Sequence, residues 1–180
     1  MRALIFFVLM ALAVGSSSQA AVRKCAGRAT LTGSGIGALR IGEPVERVKR
    51  ACRVLSDKRE LGPEALPSRV LEVVVGSKPV QAEVVHGRIW RIAVTDVAPR
   101  TADGLGVGSS LAKLLETGKV TGVEGEGALF AISPRHCGLS FHLSYEPGDN
   151  EHRDEWTNRQ LAQLPAATRV TEVLVVGCKR

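Results

Sequence analysis

Histidines, cysteines and a cluster of basic side chains are the residues of this 180-residue chain best suited to chemistry. His136, His142 and His152 fall in one short stretch, and with Asp154 they suggest a metal site or the base of a small hydrolase; His86 stands apart. Their spacing matches no zinc pattern such as H-E-x-x-H. If residues 138–145 form a strand, His142 and Cys137 fall on opposite faces, because strand side chains alternate. No G-x-S-x-G elbow is present, and Ser109-Ser110 reads as a helix cap rather than a nucleophile. Glu124 and Glu126 flank a turn glycine, where solvated carboxylates are ordinary. No catalytic or metal-ligating set is assigned on this basis, and no cofactor is expected.

Gly33-Ser-Gly35-Ile-Gly37-Ala38 has the form of a dinucleotide-binding fingerprint. That motif needs a buried strand before it and a helix opening at once inside a βαβ unit. Here the next helix begins only near Glu43, after Gly42 and just before Pro44, so the segment reads as a turning loop. No phosphate-binding G-x-x-x-x-G-K-[ST] loop occurs.

Four cysteines, Cys25, Cys52, Cys137 and Cys178, allow three pairings, and none of their spacings is C-x-x-C. Their clustering favours Cys25–Cys52 in the first half and Cys137–Cys178 in the second, as structural bridges of an oxidising compartment. The formal charge is +6. Arg47, Lys49, Arg50 and Arg53, with Lys58 and Arg59 beyond them, concentrate positive charge on what reads as one outer helix face. Such a patch suits an acidic protein or an anionic envelope surface. Nucleic acid is not expected, since no interleaved aromatics and no known module are present. Trp90 sits between Ile89 and Arg91 in a strand and, facing away from the core, would anchor a partner.

The compartment follows from the first twenty residues. Arg2 supplies a positive charge, Ala3 to Val14 an apolar run, and Ser18 and Ala20 the small residues of a signal-peptidase site. A run of about a dozen residues is too short to span a bilayer, which needs roughly twenty. A cleavable signal peptide over 1–20 is expected, with a periplasmic or secreted mature protein carrying no transmembrane segment. About 160 residues remain, enough for one compact domain.

The elements that must position these residues show an internal echo. Leu39, Ile41, Gly42, Val45 and Val48 align with Leu105, Val107, Gly108, Leu111 and Leu114. The shared pattern predicts an extended stretch, a glycine turn and an amphipathic helix. Pro44 suits the first turn of the first helix; Ser109 or Ser110 caps the second, and Gly118 ends it. Strands are predicted over 69–75, 80–85, 88–94, 120–124, 128–132, 137–145 and 169–176, with His86-Gly87 as a tight turn. A third helix is expected over 154–164, opened by Trp156. Hairpin-length connections require antiparallel pairing. The fold class is α+β: tandem helix-plus-antiparallel-meander repeats over 21–98 and 99–180, helices on one face of the sheet and the two repeats together forming one domain.

The glycine-led helices, each followed by a meander, and the exported address resemble beta-lactamase-inhibitor-protein-like and outer-membrane-assembly-lipoprotein-like folds. The resemblance spans about residues 30–178. It implies a non-enzymatic, protein-binding or envelope-associated module, and no functional residue is carried over from it. The alternative reading is a small exported hydrolase or metal-binding protein that uses the histidines of the second half.

Overall fold

The computed structural model describes residues 25, 29–61, 67–125, 127–148, 151 and 153–178. The expected signal peptide, His152 and Glu126 lie outside the described residues. The chain opens with a small meander of two-residue strands, β1 (Leu31–Thr32), β2 (Gly35–Ile36) and β3 (Leu39–Arg40). The glycine-rich segment is thus a pair of tight turns that buries Leu31, Ile36 and Leu39. Gly33 is required by close approach: a Cβ there would lie 1.7 Å from the Cys137 carbonyl oxygen.

Helix α1 (Val45–Ala51) follows, then β4 (Val54–Leu61), β5 (Pro67–Val75), β6 (Lys78–Val85) and β7 (Arg88–Val94). The second half holds α2 (Leu111–Leu115), β8 (Thr121–Gly125), β9 (Ala128–Ile132), a 3-10 turn (Pro134–His136), β10 (Leu139–Leu143), α3 (Asn158–Leu161) and β11 (Val170–Val175). The fold is mostly β with three short helices among the described residues. Strand β4 is absent from the sequence-based expectation, which placed Lys58 and Arg59 on a helix face. Its polar run shows no alternation because it is an edge strand, exposed over most of its length, and charge is what such an edge carries.

The strands β4 to β11 form one antiparallel sheet in the order β4-β5-β6-β7-β11-β10-β9-β8. Both halves therefore share a single sheet, and the pairing of β7 with β11 is the seam between them. Around that seam the register is reciprocal: Ile92 faces Val175, Ala93 faces Leu174 and Val94 faces Val173.

Alternation along the strands sends one row inward. Val73, Val80, Val94, Val173, Phe141 and Ala131 are each at most 3% exposed. Val45 and Val48 of α1, Leu111 and Leu114 of α2 and Leu161 of α3 join these residues in the same buried cluster. A fully buried Val, Leu or Phe contributes about 1.5–3 kcal/mol, so this row is the main stabilising element.

The two glycine-led helix starts are held alike. Gly42 N–H donates to Ile89 O, Ile89 N–H to Glu43 O, and Val45 N–H to Gly87 O. In the second half Gly108 N–H donates to Val170 O, Val170 N–H to Ser109 O, and Leu111 N–H to Thr168 O. Gly42 and Gly108 have φ of 80° and 84°, which glycine adopts without strain. Ser110 caps α2 by accepting from Lys113 N–H, and Thr157 with Gln160 forms a capping box on α3.

Trp156 precedes α3 rather than opening it. It exchanges two backbone hydrogen bonds with Gly122 and covers the β8 edge of the sheet at that point. A Cβ on Gly122 would lie 2.7 Å from Trp156 Cβ and 3.0 Å from Leu161 Cδ2, so only glycine admits this cover. Glu124 accepts from Trp156 Nε1 at 2.7 Å and from the Arg153 N–H at 3.1 Å. It is thus not the free turn carboxylate that its glycine neighbour suggested.

Candidate binding face

The face of the sheet opposite the core carries none of the helix residues of the buried cluster, and it exposes large apolar side chains. One row crosses all eight strands of it: Ser56, Glu72, Gln81, Ala93, Leu174, Ser140, Ile132 and Thr121, each opposite the next. A second row, Glu172, His142, Phe130 and Val123, crosses the strands of the second half. The first-half side of this face mixes ion pairs with valines: Arg91 donates from Nε to Glu83 Oε1 at 2.9 Å, Val70 and Val74 are half-buried, and Val85 is 44% exposed. On the second-half side Ile132 is 40% and Val123 37% exposed and Phe130 is half-buried, among Thr121, Ser140, His142 and Glu172. Leu174 is buried yet stands outside the core cluster, as a residue on this opposite face must.

Trp90 is 59% exposed, and a β-bulge puts it there. Glu83 faces Arg91 and Val84 faces Ile89, so Trp90 is the extra residue on β7. The bulge explains how Ile89 and Ile92, three apart, both enter the core. A bulge of the same form lies on the β11 side of the seam: His142 faces Glu172 and Leu143 faces Val170, leaving Thr171 as the extra residue.

The basic cluster is partly consumed by internal pairing. Arg47 pairs with Glu43 at 3.1 Å, and Lys49 reaches across from α1 to Asp57 on β4 at 2.6 Å. Asp57 also accepts from Nε and Nη2 of Arg69, both at 2.7 Å. Hydrogen bonds from Arg69 and then Lys49 hold the Asp57 carboxyl well below the usual carboxylate range. Arg50 belongs to α1 and Arg53 follows it; both are exposed, as are Lys58 and Arg59 further along β4. Trp90 lies on the open face, in β7, whereas these arginines belong to α1 and the residues just after it.

The histidines do not gather. His86 is exposed in the β6–β7 turn, where its φ of 48° and the 73° of Gly87 match a type I′ hairpin. His142 lies on the open face, 4.9 Å from the Phe130 ring and 3.8 Å from Glu172. His136 lies on the other side, its ring edge-on to the core residue Phe141. The sheet thus stands between His136 and His142. Among the described residues no group of three or more His, Cys, Asp or Glu side chains is placed to hold a metal.

His136 lines a polar cavity of about 320 Å3 with Thr101, Asp103 and Arg135. Its Nε2 lies 3.2 Å from Asp103 Oδ2 but forms no hydrogen bond there. Burial works against ionisation of Asp103, yet the Thr101 hydroxyl and the charges of His136 and Arg135 lower its pKa overall. Sequence reasoning had no signal for this contact, because Asp103 and His136 lie more than thirty positions apart and meet only in the folded chain. Cys25 is bonded to Cys52 and Cys137 to Cys178. Among the described residues no helix is long and apolar enough to cross a membrane.

No protein-family model matches the chain, and no curated protein matches it. A solved structure of similar fold is that of the uncharacterized protein yfeY from Escherichia coli. It superposes with a TM-score of 0.58 at 18% identity, over 82% of this chain and 99% of that one. At that identity the likeness establishes the fold alone.

Proposed function

We infer that this chain is an exported, disulfide-stabilised, non-enzymatic binding module that captures another protein on the open face of its sheet. The observation that carries the reading is the bulge that raises Trp90 out of a face whose second-half side exposes Val123 and Ile132. Tryptophan is enriched among the residues that dominate interface energetics, and removing the exposed apolar side chains of a sheet face from water is favourable. Arg50 and Arg53 contribute a separate basic contact for an acidic partner or an anionic envelope surface. The export signal over 1–20 and the two bridges support a periplasmic or secreted location.

The matching hydrogen bonds at Gly42 and Gly108, and the matching bulges at Trp90 and Thr171, support a tandem duplication of one helix-plus-meander unit. They also support the kinship with beta-lactamase-inhibitor-protein-like and outer-membrane-assembly-lipoprotein-like folds.

The test is capture of the mature protein from a Gram-negative envelope by mild crosslinking, with variants in parallel. Ile132→Glu and Trp90→Ala should each lower recovery of the dominant partner about ten-fold or more, as loss of a hot spot of roughly 2 kcal/mol does. Replacement of Arg47, Lys49, Arg50 and Arg53 by Glu should lower it less. Equal recovery with Trp90→Ala and Ile132→Glu, in folded protein, would remove the open face from the function.

A further inference from the structure

The two disulfides occupy opposite environments. Cys25 and Cys52 are 3% and 7% exposed and belong to the hydrophobic core cluster. Cys137 and Cys178 are both exposed. Cys137 closes the 3-10 turn before β10, and Cys178 follows Gly177 just past the end of β11. Between them, Val176 N–H donates to Gly138 O at 2.9 Å. Gly138 must be glycine, since a Cβ there would lie 2.7 Å from Cys178 N and 2.3 Å from Gly33 O. Cys137 is also the wall shared by two cavities. On one side is the polar cavity of Asp103, Arg135 and His136. On the other is an apolar groove of about 450 Å3 lined by Ile132, Pro134 and Val176.

We propose that Cys137–Cys178 is a thiol–disulfide exchange site, open to dithiols in the folded protein, whereas Cys25–Cys52 is closed to them. Exchange requires a thiolate to reach a bridge sulfur, so access decides which bridge reacts. The reductant is a dithiol, either a small molecule or an oxidoreductase with two neighbouring cysteines. Its first thiolate attacks one sulfur of the bridge, forming a mixed disulfide and releasing the other cysteine as a thiolate. Its second thiolate then attacks the reagent's own sulfur in the mixed disulfide. The reagent closes to a cyclic disulfide and the second cysteine leaves. Two electrons pass to the protein, and both cysteines take up protons from solvent.

Reduction at this site leaves the fold standing. β11 is hydrogen-bonded on both sides, to β7 and to β10, so the bridge clamps the end of a strand that is already held. The buried bridge, in contrast, becomes accessible only when the core opens, an event whose free energy approaches that of global unfolding.

The experiment is a dithiothreitol titration of the folded mature protein without denaturant, followed by alkylation of free thiols, peptide mapping and circular dichroism. Two thiols per molecule are expected, at Cys137 and Cys178, with an unchanged spectrum. No free thiol while the spectrum is native, four thiols appearing together, or first labelling at Cys25 and Cys52 would each overturn the assignment. The Cys25→Ser/Cys52→Ser variant, where folded, should still yield two thiols. None of these readouts depends on the binding reading.

Discussion

The bulges on either side of the seam are built alike and finished differently. In β7 the extra residue is Trp90, flanked by core-facing Ile89 and by Arg91, which pairs with Glu83. In β11 it is Thr171, flanked by core-facing Val170 and by Glu172, which stands 3.8 Å from His142. The backbone device is the same, and so is the pairing of outward residues beside it. What differs is the side chain set on top: a large aromatic in the first half, a small hydroxyl in the second. The backbone sites thus follow packing, while the residues exposed on them are free to specialise.

The bridges give the sharpest way to break this comparison. Cys25→Ser/Cys52→Ser should cost about 3–5 kcal/mol, because it opens a loop and leaves two hydroxyls in the core. Cys137→Ser/Cys178→Ser should cost less, about 2–3 kcal/mol, since its serines meet water. Urea midpoints of the two variants measure the difference, and equal losses would show that exposure does not distinguish the halves.

Next in size is Gly122→Ala. Its Cβ collides with Trp156 and Leu161, so a loss of about 1–3 kcal/mol is expected, with hydrogen exchange faster across β8 first. An unchanged midpoint would mean that Trp156 is not fixed against the edge.

Asp57→Asn follows, at about 1 kcal/mol after allowance for partial exposure. The folded carboxyl has its pKa lowered by Arg69 and Lys49, so its stabilisation is fully present above about pH 4 and fades as pH falls below that. The stability gap between wild type and Asp57→Asn should therefore narrow on acidification; a gap that widens would reverse the sign of the interaction.

The smallest effect is expected where the two bulges are exchanged. Trp90→Thr and Thr171→Trp should each shift stability by no more than about 0.5 kcal/mol, as exposed positions do. Thermal melts check this, and a larger loss at Trp90 would mean that it packs rather than presents.

Most strands were legible in the sequence because the apolar residues of β5, β7 and β11 recur in the runs that a half-buried sheet demands. The helix starts were legible from Gly42 and Gly108. Strand β4 was not, because an edge strand exposed to water has no apolar alternation to read. The β6–β7 bulge was also hidden: Ile89 and Ile92 break the period of two, and only the cross-strand partners Glu83 and Val84 show why. The open face is a property of the sheet order, which places β11 between β7 and β10; no local pattern announces that. Lys49 and Arg47 looked like free surface charge because their partners, Asp57 and Glu43, become neighbours only once α1 and β4 are folded.

The position of β11 has a consequence in time. Until β11 has emerged, β7 and β10 have no strand between them, and Ile92 to Val94 wait for partners about eighty positions downstream. The two halves of the sheet are therefore joined late, only when β11 is available to close the gap between them.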